Sequence, residues 1–267
     1  MRHDRRAVPA LAALALLVAA STLGPLAYPV DPDALDLART LALPSRQHPL
    51  GTDESGRDVL ARLLAGGRVT LTVGGAAMLV AAAAGTLVGA VAALAPRAVD
   101  TVLMRGTDAA LAIPPFFVIL ATLTTLGPAT PTLVLAIGAT SWMTLARLVR
   151  GELLALRQQG FVEAAIALGQ PARHRFARHL LPHLWPTILV NATVGTGSAM
   201  LTESALSFLG LGVQPPAASW GNMLASAQAS LYVAPRLALV PGVLIVATVL
   251  AVSALGQALL HRFPSRA

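Results

Sequence analysis

The chain has 267 residues, of which 55% are hydrophobic and only 12% charged, with a mean hydropathy of +0.70, against roughly 25% charged residues in a soluble domain. It is therefore read as an integral membrane protein, and its net charge of +7, spread over segments between apolar runs, as a report of membrane orientation rather than of nucleic-acid binding. There is no cysteine and no lysine, which excludes disulfides, thiolate nucleophiles, Cys-ligated zinc, a Walker A lysine and any Schiff base, so ATP chemistry coupled to this protein belongs to another chain.

Taken in order, residues 1–30 have a basic head and an apolar run without a clean A-x-A cleavage site. The run at 7–30 exceeds the roughly 20 residues a span needs, so it is read as a retained first transmembrane helix. Residues 31–68 form a polar loop of nearly balanced charge. Within it, HPLGTDESGRDVLARLLAGGR predicts a turn at 51–56 and a short amphipathic helix lying at the membrane surface, with Asp58 and Arg62 paired one turn apart. The acidic group of Asp53, Glu54 and Asp58 is read as helix N-terminal chemistry rather than a metal site.

A second span is expected over 69–94, with Gly85 and Gly89 in the small-xxx-small spacing of close helix packing. After a short loop, the third span at 109–126 is interrupted by Pro114 and Pro115, which remove backbone donors and predict a kink. GPATP at 127–131 turns the chain into a fourth span, 132–148. A polar, arginine-rich island follows, then a fifth span at 184–206, a Gly/Pro-rich loop at 207–235 containing a short helical pattern, a sixth span at 236–260 and a basic tail, 261–267. The Asn191-Ala192-Thr193 triplet lies inside a span, out of reach of glycosylation.

Six spans place both termini on one side. Arg39, Arg46, Arg57, Arg62, Arg68 and Arg236 then fall opposite, while the remaining arginines, the majority, share the side of the termini and the island. The positive-inside tendency makes that side cytoplasmic, and the loops 31–68 and 207–235 external.

The island, FVEAAIALGQPARHRFARHLLP (161–182), predicts two short helices. Glu163 sits in the first turn of one, where a carboxylate favours the positive dipole end. Phe161, Ala164, Ala165 and Leu168 recur at i, i+3, i+4 and i+7 as an apolar stripe, and Gly169 stands at the terminating position. Pro171 starts a second helix bearing Arg173, His174, Arg175, Arg178 and His179, and Pro182 returns the chain to the membrane. Such a helix either lies in a groove of a partner or packs on its own protein. His179 and His183 stand one turn apart, but Pro182 disturbs that helix and no third ligand is evident, so the histidines 174, 179 and 183 are read as solvated or phosphate-facing.

Glu163-Ala164-Ala165, Gly169 and His179-Leu180-Leu181-Pro182 resemble the EAA motif of binding-protein-dependent ABC importer permeases. GTDESGRDVLARLLAGGR (51–68) and LTESALSFLGLGVQPPAASWGNML (201–224) are similar, more specifically, to the C-type permease subunit of dipeptide, oligopeptide and nickel importers, as are DAALAIPPFF (108–117) and ARLVRGELLALRQQGFVEAA (146–165). The likeness covers nearly the whole chain. It departs from the general motif at His179, where Ile is usual, at His183, where Asn is common, and at GQPAR (169–173), which replaces a Gly-Ala-Ser turn.

The resemblance implies an all-α membrane protein of six transmembrane helices with the type I ABC importer permease fold, and a coupling loop (151–183) whose helix enters a cleft of an ATPase. It implies ATPase-coupling roles for Phe161, Glu163, Ala164, Ala165, Leu168, Gly169, Arg173 and Pro182. The implied partners are a B-type permease, two ATPase subunits or one fused ATPase, and an external substrate-binding protein, in the lipid of a bacterial inner membrane and without nucleic acid. ATP and Mg would sit on the ATPases, leaving this chain without cofactor, metal or catalytic residue. Peptides are the expected cargo, with nickel, haem, glutathione or opines as alternatives. Glu203, acidic near the end of a span, is a candidate pathway residue: it could contact substrate, gate the pathway or reach headgroup water, and a structural role at the pathway mouth is preferred. An intramembrane protease would need a nucleophile and base within the spans, and a secondary transporter or channel would show inverted repeats or charged relays; neither pattern is present.

Overall fold

A computed structural model of the chain describes residues 4–262; the ends at 1–3 and 263–267, including Arg2, Arg266 and most of the expected basic tail, lie outside the described residues. The described residues form α1 (Asp4–Ala27), α2 (Val59–Leu94), α3 (Arg97–Ala112), α4 (Pro115–Leu126), α5 (Thr130–Leu156), α6 (Gly160–Ala167), α7 (Ala172–Arg175), α8 (Leu181–Phe208), α9 (Trp220–Ser226) and α10 (Arg236–Arg262). A 3₁₀ turn at Leu37–Arg39 and a π turn at Phe176–Leu180 complete the set.

Close approaches between helices define how the chain travels. α1 runs antiparallel to α2, with Ser21 against Gly67 and Gly24 against Leu64, and α2 runs parallel to α5, with Gly85 against Trp142 and Gly89 against Ala146. α8 and α10 are antiparallel, Gly197 meeting Val249 and Gly256 meeting Val194. Since α3 and α4 return the chain between α2 and α5, six passages connect two ends. One end, the base, carries α6, α7 and the described ends of α1 and α10; the other carries residues 28–58 and 209–235, which form a loop layer.

The passages are unequal. Among the described residues, four helices (α1, α2, α5 and α10) are long and apolar enough to cross a membrane alone, or five spans if α3 and α4, bent by 86° at their junction, count as one. The six expected spans correspond to the six passages, of which the one formed by α8 falls short of that apolar measure. Pro114 and Pro115 do more than kink the third span: without their N–H groups the helix breaks, and only the 12 residues of α4, about 18 Å, rise through the bundle. α8 has length to spare at 28 residues but is too polar to pass, because Asn191, Thr196, Thr202, Glu203 and Ser204 sit among its apolar residues.

α2 differs most from expectation. Instead of a surface helix followed by a span beginning at residue 69, one helix of 36 residues, about 54 Å long, runs from the loop layer to the base. Asp58 caps it by accepting from the Ala61 N–H at 2.8 Å, and is itself held by the Tyr28 hydroxyl at 2.9 Å and His48 Nδ1 at 2.8 Å. Burial first, then the hydrogen bond to Asp58, pushes the Tyr28 phenol up to about 12. The expected Asp58–Arg62 pair is absent: Asp58 is occupied as a cap, and Arg62 turns instead to Asp33, 3.1 Å away, and Asp53, 3.7 Å away.

Three apolar clusters stack along the bundle. Val59, Leu63, Met200, Trp220 and Leu237 close the loop-layer end. Val73, Ala77, Ile119, Leu133, Ile137 and Ala199 fill the middle. Leu145, Leu153, Val162, Leu180 and Leu184 join α5, α6 and α8 at the base.

Candidate functional site

At the base, the C-terminal end of α5 is fixed before the chain leaves the bundle. Arg157 donates to the carbonyl of Ala93 in the last turn of α2 at 2.6 Å, and the Thr187 hydroxyl of α8 donates to Glu152 of α5 at 2.5 Å. α3 is tied to the same helix, Asp100 receiving both Arg150 Nε and Arg150 Nη2, and Asp108 receiving Arg147.

α6 begins after Gln159, with Glu163 exposed in its first turn and free of side-chain hydrogen bonds among the described residues. Its end is a Schellman turn: the N–H of Gly169 bonds Ile166 O at 2.9 Å and that of Gln170 bonds Ala165 O at 3.1 Å, with Gly169 at φ +73°. The predicted apolar stripe is divided. Val162, in the basal cluster, and Ala165 are buried, whereas Phe161, Ala164 and Leu168 are exposed, Leu168 at 78%. Thus α6 packs on its own protein through one face and leaves an apolar second face uncovered.

Past the turn, Arg175 donates to Gln170 O and His179 Nε2 meets Gln170 Oε1 at 3.0 Å, holding α7 against α6. Arg173 is exposed. At Pro182, the expected point of return to the membrane, there is no helix break: α7 continues through the π turn into α8. The physical cause is local: Pro182 has no N–H for the carbonyl of residue 178, and the helix widens just before it, with Leu181 N–H reaching Phe176 O. Pro182 itself occupies the first turn of α8, where proline is tolerated. Phe161 stacks on His183 of α8 with centroids 5.1 Å apart and planes 17° from parallel. The residues singled out over 161–182 thus lie together on α6, α7 and the start of α8.

At the opposite end Glu203 is fully buried on α8. Ser207 Oγ donates to one carboxylate oxygen at 2.8 Å and Ser204 Oγ approaches the other at 3.3 Å. The carboxylate is enclosed where α2, α8 and α9 meet. A separate cavity of about 340 Å³ lies between α4, α5 and α8, lined by Phe116, Ile137, Thr140, Ser141, Thr202 and Leu206 among others. The hydroxyls of Thr140, Ser141 and Thr202 are spent on their own helices' carbonyls, so this cavity is neutral.

The family model of the binding-protein-dependent transport system inner membrane component matches residues 85–266. A protein of Brucella suis biovar 1, named as a peptide permease, is 39% identical over 267 residues, covering 99% of this chain and 88% of its own. The oligopeptide transport system permease protein OppC of Haemophilus influenzae is 34% identical over 259 residues (96% and 83% of the two chains), and the glutathione transport system permease protein GsiD of Escherichia coli O1:K1 / APEC is 37% identical over 216 residues (81% and 71%). The chain belongs to this permease family. It is a multi-pass transport component of an ABC importer and not an enzyme.

Several residues that shape the permease were not singled out in its sequence. Trp220 is 1% exposed, donates its indole N–H to Leu63 O at 3.0 Å and takes the Thr70 hydroxyl with its backbone N–H at 3.2 Å. α9, which it begins, is fixed by a capping box between Ser219 and Asn222. The S-x-x-N spacing before GNML is the signal that could have located this cap. Replacing Trp220 with alanine is expected to cost about 3–5 kcal/mol, read as a fall in the thermal midpoint of the detergent-purified protein; a midpoint equal to the parent's would show that α9 is not anchored through this side chain.

Proposed function

We propose that this permease imports di- or oligopeptides, pairing with a B-type permease to enclose the pathway and transmitting the ATPase cycle through α6. The peptide assignment is supported by the names of its relatives, and glutathione, itself a tripeptide, is the second reading because one relative is a glutathione permease. The coupling role rests on one observation above others: the uncovered apolar face of Phe161, Ala164 and Leu168 on a helix otherwise locked to α5 and α8. A groove of an ATPase, one of two subunits or half of a fused pair, receives that face, with Glu163, Arg173 and Gly169 at its edges and Ala165 and Pro182 holding it from behind. ATP and Mg are bound there; this chain binds no cofactor and no metal.

In this arrangement the base and both termini face the cytoplasm of a bacterium and the loop layer faces outward, toward an external substrate-binding protein, as the arginine distribution supports. The neutral cavity beside α4 forms one wall of the pathway, and enclosed Glu203 pins α8 to the loop layer at its mouth. Nucleotide binding moves α6, and α5 and α8 carry that movement to the cavity. The test is a double replacement, Phe161→Ala with Leu168→Ala, in the complex reconstituted in lipid vesicles. Loss of about 2–4 kcal/mol of buried apolar contact is expected to release the ATPase chains during purification and to abolish peptide uptake. Retention of the ATPase with unchanged uptake would overturn the coupling role; uptake of glutathione but not of longer peptides would select the second reading.

A further inference from the structure

In the loop layer, a cavity of about 80 Å³ opens between the segment preceding α2 and α9, lined by Asp53, Glu54, Arg57, Arg62, Met223 and Ser226 among others. Three of its four charged groups are engaged. Asp53 Oδ1 accepts the backbone N–H groups of Ser55 and Arg57 at 2.8 and 2.9 Å, and its Oδ2 stands 3.7 Å from Arg62 Nε. Glu54 accepts from the Ser230 hydroxyl at 2.6 Å. Arg62 donates to Asp33 and to Pro32 O.

Arg57 is the exception. Its guanidinium makes no hydrogen bond and no ion pair with any described residue, although its Nε is buried, and it shares the cavity wall with Arg62. A buried donor without an acceptor is costly, and native structures rarely leave one so. Two neighbouring guanidinium groups, one unpaired, select a carboxylate, which the planar fork of arginine can receive with paired hydrogen bonds. The cavity's volume restricts the ligand further. Whole-molecule sites run to about 300–1,000 Å³, so this one admits a side-chain head group and not a peptide cargo.

We propose that Arg57 receives an aspartate or glutamate side chain of the external binding protein when that protein docks on the loop layer. This rests on the reading that the permease is served by such a protein and that the loop layer faces it. The cavity joins the start of α2 to α9, so an acid seated in it contacts both the long helix that reaches the base and the segment that covers Glu203. Docking is thereby signalled to the same helices that carry the ATPase contact.

The test uses the complete importer in lipid nanodiscs, with ATPase activity followed as the loaded binding protein is titrated. Arg57→Gln is expected to raise the half-stimulating concentration by about tenfold or more and to flatten its dependence on salt, while Arg46→Gln, which removes an exposed arginine of the same loop, leaves both at the parent's values. An independent arm keeps this chain unaltered and replaces acidic residues of the binding protein one at a time: one of them reproduces the Arg57→Gln shift, and its change to arginine restores stimulation to Arg57→Glu. A titration of Arg57→Gln superimposed on the parent's, an equal shift for Arg46→Gln, or the absence of any acidic residue that reproduces the shift overturns the proposal. A parent complex that no binding protein stimulates would instead overturn the functional reading, and this inference with it.

Discussion

Replacing Gly169 with valine is expected to uncouple the importer, reducing substrate-stimulated ATPase activity in vesicles by about tenfold or more while the permease remains folded. Nothing lies within 4 Å of a Cβ at this position, so no clash is involved. The effect is conformational: φ is +73°, and forcing a β-branched residue there costs about 1–3 kcal/mol, enough to open the Schellman turn that fixes the exposed end of α6. Asparagine, which tolerates this backbone region, should retain most of the coupling and alanine less, giving the order Asn, Ala, Val. Uniform activity across the three would mean that the end of α6 does not bear on the ATPase. Glu163→Lys supplies a contrast. Its carboxylate has no side-chain partner here, and reversing the charge in the first turn disturbs the helix by only about 0.3–1 kcal/mol; a loss as large as that of Gly169→Val would therefore report a direct contact with the partner chain.

The second large effect is expected from Gly89→Leu, which should remove the folded permease altogether. α2 and α5 approach so closely that a Cβ at Gly89 would stand 2.4 Å from Ala146 O and 2.9 Å from Val149 Cβ. Backbone on the facing helix cannot yield as a flexible side chain can, so the two helices must part along their length. The cost is about 3 kcal/mol or more, to be read in the monodisperse yield and thermal midpoint in detergent. Gly75→Ala is the control, since a Cβ there meets nothing within 4 Å, and it should match the parent. Equal behaviour of the two variants would show that the α2–α5 seam is not set by small residues.

These two glycines illustrate what was legible in the sequence. The stop at Gly169 and the small-residue spacing of Gly85 and Gly89 express local rules, one of backbone conformation and one of helix approach, and both are met. The helical class and the basal projection were equally accessible, since apolar run lengths and arginine placement are one-dimensional properties. What escaped depends on contacts across the chain. The expected surface helix and second span are one helix, inside which Gly66 lies against Ser219 and Gly67 against Ser21 and Trp220. Pro182 reads as the point of return to the membrane, and what its sequence does not tell is that the helix runs on unbroken through it, a π turn absorbing its missing donor. The i, i+3, i+4, i+7 stripe of α6 is real as a pattern, and only the position of the basal cluster decides that Ala165 turns inward while Phe161 and Leu168 turn out. No periodicity encodes the isolation of Arg57, because it consists in the neighbours' acceptors being taken by others.

The brevity of α4 has a consequence for the life of the subunit in the cell. A rise of about 18 Å through a hydrocarbon layer of roughly 30 Å leaves about 12 Å that a bilayer could match only by thinning, at fractions of a kcal/mol for each ångström. Next to the break, Phe116, 42% exposed, lines the neutral cavity, and Phe117 is 62% exposed. Lipid is a poor neighbour for that side of the bundle; a second protein is a good one. The permease synthesised alone should therefore be short-lived, surveyed by membrane proteases as an orphan, and its half-life should lengthen when the companion permease proposed above is produced with it.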